Sequence, residues 1–97
     1  MYNYFMLVGY IETNLEEIRT ENMKMEFFHL KVTRPFKNNE GKYETDIFEL
    51  KVSEPITSII KENFNKGDVI GVKGRILPTP LNNYLYVEKI INFDKRD

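Results

Sequence analysis

The sequence predicts an all-β domain in which five strands close into a small barrel, with one short α-helix between strands three and four. Three observations lead there. Apolar and polar residues alternate at period two in several separate stretches, one stretch switches to helical spacing, and Gly, Pro and Asn punctuate the gaps. Ninety-seven residues amount to one domain's worth of chain, so residues 1–97 are expected to form a single unit.

The first strand is Phe5 to Ile11, with Phe5, Leu7 and Ile11 on one face. Glu12 to Glu26 carries five acids against Arg19 and Lys24 with little periodicity, and is expected to be an acidic loop. Met25 to Arg34 is the second strand, with Phe28, Leu30 and Val32 turned to the core and Phe27, His29, Lys31 and Thr33 turned away. Pro35 to Lys42 holds the Asn and Gly residues that reverse a chain, and the third strand then alternates through Phe48, Leu50 and Val52. Ser53-Glu54-Pro55 offers a capping hydroxyl and a first-turn proline, and Ile56, Ile59, Ile60 and Phe64 recur at helical spacing until Gly67. Val69 to Leu77 is the fourth strand, with Gly71 and Gly74 where a barrel wall must bend. Pro78 to Asn83 turns the chain into the fifth strand, Tyr84 to Phe93, and Asp94 to Asp97 is a short tail.

Composition limits the function. With 41% hydrophobic and 30% charged residues the chain is ordinary for a globular protein, and no stretch is long and apolar enough to suggest a membrane span. The only early apolar run has no basic flank and contains Gly9, so it is not a secretion signal. A net charge of -1 provides no global field for a polyanion, so nucleic-acid binding would need a local basic patch. The sequence has no cysteine, which excludes disulfides and thiolate metal sites and suits a reducing cytoplasm. His29 is the only histidine, the carboxylates are scattered, and no glycine-rich phosphate loop opens the helix. No catalytic residues, metal or cofactor are expected.

Five strands with a helix between the third and fourth is the order of an OB-fold barrel, whose faces and loops commonly hold oligonucleotides. Within that order, Leu7-Val8-Gly9-Tyr10-Ile11, Phe28-His29-Leu30-Lys31-Val32-Thr33-Arg34-Pro35-Phe36-Lys37 and Lys66-Gly67-Asp68-Val69-Ile70-Gly71-Val72-Lys73-Gly74-Arg75 keep a shared register. The chain so resembles the bacterial single-stranded DNA-binding proteins over nearly its whole length, and is also similar to primosomal replication proteins of the same fold. The resemblance implies a homodimer or homotetramer pairing through the first strand, which binds single-stranded DNA on stacking aromatics while Lys and Arg meet phosphates. Phe36 stands where that family has a loop aromatic. Two further family aromatics fall on Ile47 and Ser53, which cannot stack, and the hairpin that carries a fourth is shortened, with Leu81 and Tyr84 nearest. The family's acidic C-terminal tail has no counterpart after Phe93, so recruitment of partners through it is not expected.

Lys31 to Lys42 is the most basic stretch, four bases to the one acid Glu40, interleaved with aromatics. Phe27, Lys31, Arg34, Phe36 and Lys37 are therefore expected to contact a single strand, joined by Lys51, Lys73, Arg75 and Tyr84 from the other strands. Each has a plain alternative as solvated barrel surface, and Glu49 would repel phosphate. Tyr4, Met6, Val8 and Tyr10 form an apolar second face on the first strand, which suits a subunit interface better than water. Sequence-independent binding of single-stranded DNA in replication, recombination or repair leads. Single-stranded RNA is open as well, and an OB barrel reassigned to a protein partner in a replication or primosome assembly is the alternative.

Overall fold

A computed structural model describes residues 1–19, 21, 22 and 24–91. The elements run β1 (Phe5–Ile11), β2 (Glu16–Arg19), β3 (Lys24–Lys37), β4 (Tyr43–Val52), α1 (Ile56–Asn63), β5 (Val69–Pro78) and β6 (Asn83–Ile91). The strands form one sheet in the order β1-β5-β6-β4-β3-β2, and a further pairing of β1 with β3 closes it into the five-stranded barrel expected, an OB fold. Closure brings backbones unusually near. A Cβ on Gly9 would lie 2.3 Å from the Lys31 carbonyl oxygen, and one on Gly74 would lie 1.9 Å from that of Tyr86. Only glycine fits either crossing.

The inward set is the one that alternation picks out. Ile11, Phe28, Leu30, Leu50, Val52, Ile70, Val72 and Val87 fill the barrel, and Ile56 and Ile60 of α1 close one end. Each fully buried side chain of this kind contributes roughly 1.5–3 kcal/mol relative to exposure.

Four local expectations are corrected. The acidic stretch Glu12 to Glu26 is not all loop, because Glu16–Arg19 pairs with Lys24–Phe27 of β3. β3 runs past Arg34 to Lys37, and the turn shrinks to Asn38–Lys42. There the Asn38 side-chain oxygen accepts from the Glu40 and Lys42 amides at 2.9 and 3.0 Å, and Gly41 takes a φ of 77°. Ser53 does not cap α1. Pro55 is the N-cap, with no side-chain cap bond, while Glu54 accepts from the Ser58 amide and hydroxyl at 3.2 and 2.7 Å. Ile59 of the helical stripe faces outward. Phe93 and the tail lie outside the described residues.

Candidate nucleic-acid interface

Side chains two apart on a strand share a face, so the residues between the core positions form a continuous outer surface. In β3 and β4, Phe27 stands opposite Lys51, His29 opposite Glu49, and Lys31 opposite Ile47. Lys51 then neighbours Tyr86 of β6, and Tyr86 faces Arg75 of β5. Registry alone thus brings together Phe27, Lys31, Lys51, Tyr84, Tyr86, Arg75 and Lys73 from four strands.

Lys51 occupies the middle of this surface and is only 6% exposed. Its ammonium lies 4.9 Å from the centroid of Phe27 and 4.8 Å from that of Tyr84, and 2.5 Å from a Glu49 carboxylate oxygen. A cation between two ring faces fixes both rings. Lys51, expected from the sequence as a phosphate contact, is therefore already engaged. His29 lies edge-on to Phe27, 5.9 Å between centroids, and is flanked by Glu16 at 3.8 Å and Glu49 at 3.6 Å. Thr13 adds a 3.2 Å bond to its Nδ1.

The β3–β4 hairpin extends this surface. Its pairing breaks between Thr33 and Lys37, where three residues, Arg34, Pro35 and Phe36, oppose Glu44 alone. The irregularity removes the ladder position at which Pro35 would have had to donate. Arg34 clamps it. Its Nε and Nη2 each donate to Asp46 at 3.0 Å and its Nη1 to Glu44 at 2.8 Å, a fork that raises the Arg34 pKa and lowers that of Asp46. Beyond the clamp Phe36 is 63% exposed, and Tyr43 is 56% exposed with the Lys37 ammonium 5.8 Å from its centroid. Sequence reading missed Tyr43, although it is the first residue after the Gly41 turn and sits across from Lys37.

The expected cations thus divide into two kinds. Arg75 is held 3.2 Å from Glu88 and stacks on Tyr86 at 5.9 Å, so it joins Arg34 and Lys51 among the compensated ones. Lys31, Lys37 and Lys73 have no carboxylate partner among the described residues, and Lys73 lies 5.2 Å from the Tyr4 ring. Ile47 is exposed, the Ser53 hydroxyl bonds the Tyr86 hydroxyl, and Leu81 projects into solvent from the β5–β6 turn.

On β1 the second face is open: Tyr4, Met6, Val8 and Tyr10 are all exposed, beside exposed Val69 of β5. Val8 pairs with Gly71, which has no side chain to interrupt that face. Among the described residues β1 meets β3 only at Tyr10 and Ile11, so that there Phe5 to Val8 leave one backbone edge unpaired.

Comparison with known proteins places this arrangement. The model of the single-strand binding protein family matches residues 2–82. No curated protein matches the sequence significantly. Among solved structures, the chain is similar to a small single-stranded DNA-binding protein from Streptomyces coelicolor, at 18% identity and a TM-score of 0.70 over 100% of this chain and 98% of that one. A Plasmodium falciparum SSB complexed with ssDNA gives 17% identity and a TM-score of 0.72 over 97% and 96%. A mitochondrial single-stranded DNA binding protein from S. cerevisiae gives 17% and 0.75 over 94% and 93%. At such identities the structures speak for the fold.

Proposed function

The chain belongs to the single-strand binding protein family, and from that membership we propose that it binds single-stranded DNA along the outer surface of β3 to β6 and up the β3–β4 hairpin. Its work is binding, not catalysis. The observation that carries the reading is the hairpin end, which presents two exposed rings, Phe36 and Tyr43, together with Lys37, a cation over the Tyr43 ring with no carboxylate partner among the described residues. Bases stack on the rings whatever their identity, and the uncompensated Lys31, Lys37 and Lys73 meet phosphates. Phe27 and Tyr84 offer further ring surface, braced from within by Lys51. Arg34 and Arg75 reach phosphate only by leaving their carboxylates.

Association through β1 completes the reading. Its unpaired edge from Phe5 to Val8 and its exposed Tyr4, Met6, Val8 and Tyr10 suit a second copy, giving a homodimer or a homotetramer. Service in replication, recombination or repair is proposed with it. No helix among the described residues is long and apolar enough to cross a membrane. The cytoplasm is the proposed compartment, in keeping with a sequence free of cysteine. Glu16, Glu49 and Glu88 beside the surface favour the second reading, a protein-interaction module with weak nucleic-acid binding.

Fluorescence anisotropy of labelled oligo-dT at low and moderate salt tests the choice. Binding should weaken with salt by a slope of roughly -0.7 per phosphate contact, and Phe36→Ala should lose about 1–3 kcal/mol. No binding at low salt would transfer the function to a protein partner.

A further inference from the structure

A cavity of about 310 Å³ opens at the barrel end between α1 and the segment that follows β1, and no residue of the proposed DNA surface lines it. Its apolar walls are Ile11, Leu15, Phe28, Ile60 and Phe64. An apolar cavity of about 150 Å³ takes up benzene, so this one admits a leucine-sized group with room beside it. Among the described residues its only charged lining side chain is Lys61, which lies 3.5 Å from Glu26, and the amides of Asn14 and Asn65 stand at the rim. The occupant it suits is apolar, uncharged and flanked by hydrogen-bonding groups.

Such a group stands at the other end of the molecule. The β5–β6 turn, Pro78 to Asn83, contains no charged residue, and Leu81 at its tip is 89% exposed, a large apolar side chain used neither by the core nor by the proposed DNA contacts. The turn is stiffened from within. The Asn82 carbonyl accepts from the Thr79 amide and hydroxyl, both at 2.7 Å, and the Asn82 amide donates to the Thr79 hydroxyl at 3.0 Å. Proline precedes both Thr79 and Leu81. A knob held in this way gives up little freedom when it is inserted.

Ile11, in the cavity wall, exchanges backbone hydrogen bonds with Gly67 and Asp68 just before β5, and the turn follows the far end of that strand, 10 residues and roughly 30 Å on. Leu81 therefore cannot reach the cavity of its own chain. We propose that the cavity receives Leu81 from a second copy of the chain, so that copies join end to end. Neither party brings an unanswered charge to the contact, and the amides of Asn82 and Asn83 beside Leu81 match those of Asn14 and Asn65 at the rim, donor to acceptor. Knob and hole are different surfaces at opposite ends, so the contact is heterologous and repeats from copy to copy. It involves neither DNA nor the open face of β1. A turn of this size is small against the roughly 1,200–2,000 Å² of a stable interface, so the association is weak and grows with concentration.

Methyl-labelled Leu81→Asp protein mixed with unlabelled protein tests this by NMR. Adding unlabelled wild type should progressively shift the Leu15 and Ile60 methyl signals of the labelled chain. Adding unlabelled Leu81→Asp should leave them in place, because loss of a buried leucine weakens association roughly 10- to 150-fold. Exchange through β1 is the same in both mixtures and cancels. Equal shifts with both unlabelled chains would overturn the proposal, as would no shift with wild type at millimolar concentration. DNA is absent throughout, so neither result bears on single-stranded DNA binding. Should the variant fail to fold, dilution of labelled wild type decides, since the Leu81, Leu15 and Ile60 signals must move together or the contact is not formed.

Discussion

Replacing Lys51 and Glu49 together by Met and Gln separates a cation that braces from a cation that binds. The pair is 2.5 Å apart and its removal leaves the net charge of the surface unchanged. What is lost is the ammonium between Phe27 and Tyr84, at 4.9 and 4.8 Å. Each such contact is worth about 0.5–2 kcal/mol, the larger value where water is excluded, as at Lys51. Part of this returns because a buried ammonium no longer has to be stripped of water. The net loss should be near 1 kcal/mol, which for a domain of this size lowers the melting temperature by roughly 4–8 °C. With both rings unbraced, oligo-dT affinity should fall by about 1 kcal/mol or more, since stacking on a base contributes about 1–3 kcal/mol. The salt slope should not change. Anisotropy titrations at four salt concentrations, with thermal denaturation in parallel, provide all three quantities. If the slope becomes shallower by roughly 0.7 while the melting temperature holds, Lys51 meets a phosphate and the bracing argument is wrong.

Three further outcomes follow from the geometry. Gly74→Ala would force a Cβ to within 1.9 Å of the Tyr86 carbonyl oxygen, so urea denaturation should show a loss of at least about 1–3 kcal/mol, and an unchanged midpoint would mean the crossing is not tight. Asp46 has its pKa lowered by its hydrogen bonds to Arg34, so the stability it contributes is present above its ordinary value of 3.8 and is lost as pH falls through the lower folded value. Asp46→Asn should accordingly flatten the fall in melting temperature below pH 4, and equal acid sensitivity in both proteins would count against the clamp. Val8→Glu puts a charge in the middle of the open face of β1 and should shift sedimentation toward the monomer with no loss of fold, whereas unchanged association would place the subunit contact elsewhere.

The barrel was legible because its inward positions leave a period-two trace: Phe28, Leu30, Leu50 and Val52 are buried where alternation puts them. β2 left no such trace. All four of its residues are exposed, so its strand character comes from pairing with β3 and not from its own pattern. The same limit applies at the surface. Alternation picks out Phe27, Lys31, Lys51 and Tyr84 as outward, but whether a cation is already answered depends on the strand beside it. Arg34 meets Glu44 and Asp46 only because pairing slips around Pro35, and no spacing in the sequence measures a slip. Tyr43 escaped for a related reason, since it lies just outside the basic stretch Lys31 to Lys42 and only strand pairing sets it across from Lys37.

β1 is made first and completed late. Its long pairing is with β5, from Phe5 opposite Gly74 to Tyr10 opposite Val69, so sixty-nine positions separate Phe5 from its partner. At about 5–20 residues per second a ribosome takes some 3–14 s to cover that interval. During it Phe5 to Val8 lacks its strand neighbour, and only Tyr10 and Ile11 have β3 to pair with. Pairings this distant in sequence also place the domain among the slower two-state folders, in the millisecond to second range. The strand proposed to join two subunits is thus the segment a nascent chain exposes longest, and in the crowded vicinity of a polysome two unfinished chains could meet there before either barrel has closed.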